Sequence, residues 1–264
     1  MNAAVTAQRL DHLIWGIVAT VAAIILAAPL VSLFTIEWLT FAAPAGACLV
    51  LAAAGFFYAR VRPDPRLASG CLSAAQVIAF AAVAAPLSYL AAAANLPLHD
   101  RAYDAIDRAL GLDWKAMLGV MNAWPLVFDA LRPIYLSLTL QMTTAVLCLA
   151  FTGRFVWLRV YTLAFIFAAL ITIATSAVLP AAGVWPFYGL RDGSVRALVA
   201  AGAEGIITFP SLHAALAVIL IAALWPVARL RWVIFGLNGS LVSTAAERPA
   251  VRASKIPHLV GDPQ

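Results

Sequence analysis

Long apolar runs constrain this chain more than any other feature of its sequence. Six of them qualify, at residues 13–34, 38–59, 72–95, 128–151, 157–179 and 211–228. An α-helix needs about 20 mainly apolar residues to cross a bilayer, whereas barrel strands alternate over about 10 residues. The whole chain is 64% hydrophobic and 11% charged, against roughly 45–50% and about 25% in soluble domains. We therefore predict an all-α fold, a polytopic bundle of transmembrane helices.

The number of spans depends on a seventh run at residues 230–245. It is short and contains the polar string GLNGS, so the sequence predicts six to seven spans. The first run is longer than the apolar region of a signal peptide. We expect it to be a retained span.

Basic residues in the short connections indicate the orientation. Eight of them fall on one side of the membrane: Arg9, Arg60, Arg62, Arg66, Arg154, Arg159, Arg229 and Arg231. Short loops rich in arginine and lysine face the cytoplasm. The sequence therefore predicts a multi-pass protein of the cell membrane with a cytoplasmic N-terminus. The basic residues are scattered singly, which argues against a nucleic-acid partner and leaves membrane lipids as the expected surroundings.

The connection between the third and fourth spans is amphipathic rather than apolar. An apolar stripe opposes charged residues, and the stripe consists of Ala102, Ile106, Leu110 and Leu112. Such patterns are typical of helices that lie in the membrane interface. We predict two short interfacial helices on the outer surface, separated at Gly111. The alternative is a plain connecting loop.

The cysteines indicate neither a metal site nor a disulfide framework. Cys48, Cys71 and Cys148 lie in or beside apolar runs without paired spacing. We expect no metal and no cofactor.

Chemistry is expected at the ends of the spans, because the spans themselves are nearly free of ionisable groups. The string FPSLHAALAV places Ser211 and His213 at the outer end of the sixth span. Pro-Ser starts a helix well, and the N–H groups of a helix start favour an anion such as phosphate. An imidazole two residues further on can protonate a leaving oxygen near neutral pH. The alternative is a capping serine beside an interfacial histidine.

The same string resembles the PSxH signature of the type 2 phosphatidic acid phosphatase superfamily. The wider pattern is similar to the bacterial branch related to inositol-phosphorylceramide synthases, through GLDWKAML, LAFTGRF, LPAAG and LNGSLVSTA. The resemblance implies a lipid-phosphate substrate, a site at the periplasmic or external face, and a phosphohistidine mechanism without metal. It gives His213 the acid/base role and Ser211 a phosphate contact. The nucleophile would be a second histidine.

Two departures from that family pattern stand out. The signature KxxxxxxRP is absent after the fifth span, so Arg132, and then Arg191 and Arg196, are the candidates for the phosphate-binding cation. The expected Gly-Gly-His-Tyr at residues 248–251 reads Arg-Pro-Ala-Val. We expect this change to reflect a frameshift or truncation.

The tail contains a candidate for a replacement nucleophile. His258 and Asp262 reproduce an HxxxD pair, but the prolines around them predict a disordered tail.

These features divide the chain into three parts. Residues 1–99 form spans one to three, residues 100–247 form the phosphatase-like or phosphotransferase-like core, and residues 248–264 form a divergent tail. The predicted function is a lipid-phosphate phosphatase or phosphotransferase. A non-catalytic protein that binds an anionic lipid headgroup is the alternative. A transporter finds little support, since no broken helix is indicated at mid-span.

Overall fold

The computed structural model describes residues 3–31, 38–94, 96–113, 137–181, 211–225 and 234–239, with single residues at 116, 123, 126, 227 and 232. The helices are α1 (Ala3–Val31), α2 (Ala42–Arg60), α3 (Pro65–Ala93), α4 (Asp100–Ala109), α5 (Leu138–Phe151), α6 (Phe155–Val178) and α7 (Leu212–Leu224), and a 3₁₀ turn at Trp38–Phe41 precedes α2. No strand occurs in this part of the chain. The predicted all-α class is confirmed.

Four of these helices are long and apolar enough to cross a membrane. They cover Val5–Leu30, Leu39–Arg60, Pro65–Ala93 and Phe155–Val178. Two shorter apolar helices, Leu138–Phe151 and Leu212–Leu224, match the predicted fourth and sixth runs. Each of the six predicted runs thus contains a helix, although residues 128–136 of the fourth run lie outside the described residues. The protein is a multi-pass membrane bundle.

Short turns join α2 to α3 and α5 to α6. Asp64 caps α3, because its carboxylate accepts hydrogen bonds from the backbone N–H groups of Arg66 and Leu67 at 2.9 and 3.1 Å. Gly153 lies in the turn between α5 and α6 with φ +72°, a conformation that glycine adopts without steric cost. Both turns lie at one end of the bundle, since a Cβ on Gly70 would lie 3.3 Å from the Cβ of Ala150. We call this the short-loop end, and the end with residues 96–113 and 179–181 the distal end.

Helix α6 lies at the centre of the bundle and packs against α1, α3, α5 and α7. These helices share one hydrophobic cluster. At its centre the rings of Phe80 and Phe165 meet edge to face, with centroids 5.6 Å apart. Helix α2 packs mainly on α3. Gly55 allows this close approach, because a Cβ there would lie 3.4 Å from the backbone nitrogen of Leu72.

A buried ion pair joins α1 to α6 near the short-loop end. The Arg159 guanidinium donates from Nε to Asp11 Oδ1 at 3.1 Å and from Nη2 to Asp11 Oδ2 at 3.2 Å. Gln76 of α3 donates to the same carboxylate at 3.0 Å. Arg159 is 4% exposed. The expectation that the spans are nearly free of charge is therefore wrong here, as is the placement of Arg159 in a connection. Helix α6 begins at Phe155, and an opposite charge on α1 compensates the buried guanidinium.

A second polar contact docks the seventh apolar run on α5. Residues 234–239 are helical, and Asn238 donates from Nδ2 to Gln141 Oε1 at 2.7 Å. Gln141 in turn donates to the hydroxyl of Ser137 at 2.9 Å. The polar string within this run therefore contributes an interhelical hydrogen bond, which is a common way to join helices in a membrane.

Candidate functional site

Ser211 starts α7 in the way that the sequence predicts. Its backbone is extended, with φ −75° and ψ 107°. Its hydroxyl oxygen accepts a hydrogen bond from the N–H of Ala214 at 3.3 Å, and its carbonyl accepts one from the N–H of Ala215 at 3.2 Å. The capping hydroxyl and the first helical N–H groups thus come together at this helix start.

His213 lies on the inward face of α7, one turn before the buried part of the helix. The buried residues of α7 are Leu216, Ala217, Leu220, Ala223 and Leu224. Residues three and four apart share a helix face, so His213 continues this stripe toward the helix start. The side chain is half-buried. Since α7 packs on α5 and α6, the imidazole lies on the side of α7 that faces the bundle, close to the start of the helix.

This arrangement suits a phosphate ester. The first N–H groups of a helix have no intrahelical acceptor, and together with the helix dipole they attract an anion. An adjacent imidazole can transfer a proton to or from a phosphate oxygen or a leaving alcohol. The helix start therefore brings groups that attract an anion and a group that can transfer a proton within two residues of each other.

The other predicted site residues lie outside the part of the chain that the structure describes. They are the candidate cations Arg132, Arg191 and Arg196 and the tail pair His258 and Asp262. Their predicted roles remain predictions. Among the described residues, no group of three histidine, cysteine or acidic side chains is placed to hold a metal ion.

Comparison of the sequence with protein families gives a match that includes this helix start. The sequence matches the PAP2 superfamily over residues 103–246, more than half of the 264-residue chain. The chain belongs to the PAP2 superfamily. The PAP2 match includes Ser211 and His213 and runs from α4 through α7. Helices α1 to α3, which include Asp11, precede the matched residues. A search of curated proteins and a search of solved structures each gave no match.

Two polar contacts that involve residues of this PAP2 match were not predicted from the sequence. One is the pair Asp11–Arg159, and the other is the amide pair Gln141–Asn238. A weak signal existed in each case: Arg159 falls inside an apolar run, and Asn238 interrupts one. Such positions favour a buried partner, but the sequence does not identify the partner.

Proposed function

We propose that this PAP2-superfamily protein has the site of a membrane phosphatase or phosphotransferase for the phosphate ester of a lipid, and that its missing nucleophile motif limits turnover in this chain. One observation carries the proposal: Ser211 caps α7 while His213 continues its inward face. An amphiphilic substrate suits this position, because its phosphate can meet the helix start while its chains stay in the bilayer. The charge pattern of the short loops supports a site on the periplasmic or external face.

The proposed reaction has two steps. In the first, a nucleophilic imidazole attacks phosphorus, the P–O bond to the lipid alcohol breaks, and His213 gives its proton to the leaving oxygen. In the second, His213 takes a proton from water or an acceptor alcohol whose oxygen attacks phosphorus, and the P–N bond breaks. The helix start and a cation, with Arg132 as first choice, offset the phosphate charge in both steps.

The nucleophile is the part of this mechanism that the sequence supports least. Ala250 stands where the family resemblance places a histidine, and an alanine has no group that can attack phosphorus. His258, with Asp262 four residues later, is the remaining candidate. This observation favours a second candidate function, in which the protein binds an anionic lipid headgroup without turning it over.

The test combines binding and turnover. The purified protein in lipid nanodiscs is titrated with vanadate, and phosphate release from phosphatidic acid is measured in the same preparation. We expect His213→Ala and Ser211→Ala to weaken vanadate binding. Arg132→Ala should weaken it by about 1.5–3 kcal/mol, the value of a lost charged hydrogen bond. His12→Ala is the matched control, because His12 is exposed on α1.

The two measurements together distinguish the enzyme from the headgroup-binding protein and also test the site itself. Phosphate release that is lost in His213→Ala supports the enzyme. Vanadate binding that depends on Ser211 and His213 without phosphate release supports headgroup binding. Binding and release that are both insensitive to these substitutions would overturn the site.

A further inference from the structure

Helix α4 carries its polar face inward and its apolar face outward. The half-buried residues of this helix, Asp100, Tyr103, Asp104 and Asp107, recur every three to four positions and therefore form one face. The opposite face is exposed and consists of Ala102, Ala105, Ile106 and Ala109. A helix at a water-exposed surface of a soluble protein has the reverse arrangement.

The apolar face of α4 continues into the residues on either side of the helix. Ile106 is 55% exposed, and the flanking exposed leucines are Leu96, Leu98, Leu110 and Leu112. We call these five residues, together with the three exposed alanines of α4, the apolar apron. A turn ends α4, where Gly111 adopts φ +81° and the backbone N–H of Leu112 donates back to the carbonyl of Asp107 at 2.8 Å.

The inward face of α4 is tied to the distal end of α6. The backbone N–H of His99 donates to the carbonyl of Pro180 at 2.9 Å, and the Tyr103 hydroxyl donates to the carbonyl of Leu179 at 3.1 Å. Burial is the larger cause, and the charge of Asp100 the smaller, of a raised pKa at Tyr103. Its hydroxyl therefore stays protonated and remains a donor. Helix α4 is thus held at a fixed place on the bundle.

The length of α6 indicates that this place lies near the boundary of the bilayer. Helix α6 has 24 residues, which at about 1.5 Å per residue span about 36 Å. The hydrocarbon core of a bilayer is about 30 Å thick. The end of α6 therefore reaches the headgroup zone, and a helix bonded to Leu179 and Pro180 lies at that depth.

We propose that the apolar apron is a membrane-docking surface that inserts into the lipid leaflet at the distal end. Its occupant is the lipid surface itself, between headgroups and upper acyl chains. Arg108 fits this role, since its side chain is 60% exposed while its ion-pair partner Asp104 is 17% exposed. A guanidinium there can reach lipid phosphates while its stem covers apolar surface. The inference goes beyond the proposed function and does not depend on it.

The test is a nitroxide scan of residues 99–112 in the full chain. The three native cysteines are replaced, single cysteines are spin-labelled, and the protein is reconstituted in vesicles of phosphatidylcholine with phosphatidylglycerol. Collision rates with oxygen, which concentrates in lipid, and with a water-soluble nickel chelate are then measured. We expect oxygen collisions to dominate at Ala102→Cys, Ile106→Cys and Ala109→Cys. The matched control Asp107→Cys, on the inward face, should show few collisions with either reagent.

The scan separates the possible occupants of the apron. Dominant nickel collisions at the apron positions would mean that the surface faces water, and few collisions with either reagent would mean that protein covers it. Both results overturn the proposal. Because the conclusion rests on the period of about 3.6 residues across the scan, a single misfolded variant does not decide it.

Discussion

Replacing Asp11 by leucine should leave the Arg159 guanidinium buried without its carboxylate partner. Removing one member of a buried ion pair costs about 3–5 kcal/mol, because the remaining charge is not compensated. Arg159 has 5% of its side chain exposed and Asp11 has 17%. We therefore expect Asp11→Leu to destabilise the protein more than Arg159→Leu, which leaves the better hydrated group of the two.

The double variant Asp11→Leu/Arg159→Leu should recover much of the loss, since apolar replacements of a buried pair are often neutral or stabilising. The recovery should be incomplete. Gln76 loses the acceptor that it contacts at 3.0 Å, and a buried polar group without a partner costs about 1–3 kcal/mol. Adding Gln76→Leu should remove that remaining cost.

The free energy of unfolding can be measured by titrating the protein from mild detergent into a denaturing one and following far-UV circular dichroism. Arg108→Leu is the control, because it breaks the exposed i,i+4 pair with Asp104, which is worth about 0.3–0.5 kcal/mol. A cost below about 1 kcal/mol for Asp11→Leu, or losses that simply add in the double variant, would refute the reasoning.

A reporter fused after Arg66 should be cytoplasmic, and one fused at Asp192 should be external. Alkaline phosphatase fusions can show both locations. The reverse pattern would place the candidate site on the inner face. Ser211→Ala should cost about 0.5–2 kcal/mol of stability and Ser211→Gly only about a few tenths. Both variants should weaken vanadate binding, because both lack the hydroxyl. Unchanged vanadate binding would mean that Ser211 only caps the helix. We expect the chain to release phosphate from phosphatidic acid at background rate, and a variant with Gly-Gly-His-Tyr at positions 248–251, followed by an added apolar span, to release it faster. Robust release by the unaltered chain that is lost in His258→Ala would make the tail histidine the nucleophile.

Features that depend on local sequence could be predicted well. The apolar runs predicted the helices, Gly111 predicted the turn after α4, and Ser211 predicted the start of α7. Helix ends were less predictable. Helix α3 begins at Pro65 rather than near residue 72, because the Asp64 cap starts the helix before its apolar part.

Contacts between distant elements could not be predicted, for a physical reason. Periodicity shows which face of a helix is buried, but it does not show which residue of another helix meets that face. Asp11 and Arg159 are 148 residues apart, and Gln141 and Asn238 are 97 residues apart. The candidate site was predictable at Ser211 and His213, because a cap and the residue two positions later belong to the same turn.

The separation of Asp11 and Arg159 along the chain also has a consequence for biosynthesis. Translation adds about 5–20 residues per second, so the ribosome needs roughly 7–30 s to reach Arg159 after Asp11 is made, given the 148 residues between them. During that interval the α1 carboxylate lacks the Arg159 guanidinium that it contacts in the folded bundle, and we expect it to stay hydrated at the membrane surface. We therefore expect helix α1 to reach its final depth in the bundle only after α6 has left the ribosome, although α1 is made well before α6.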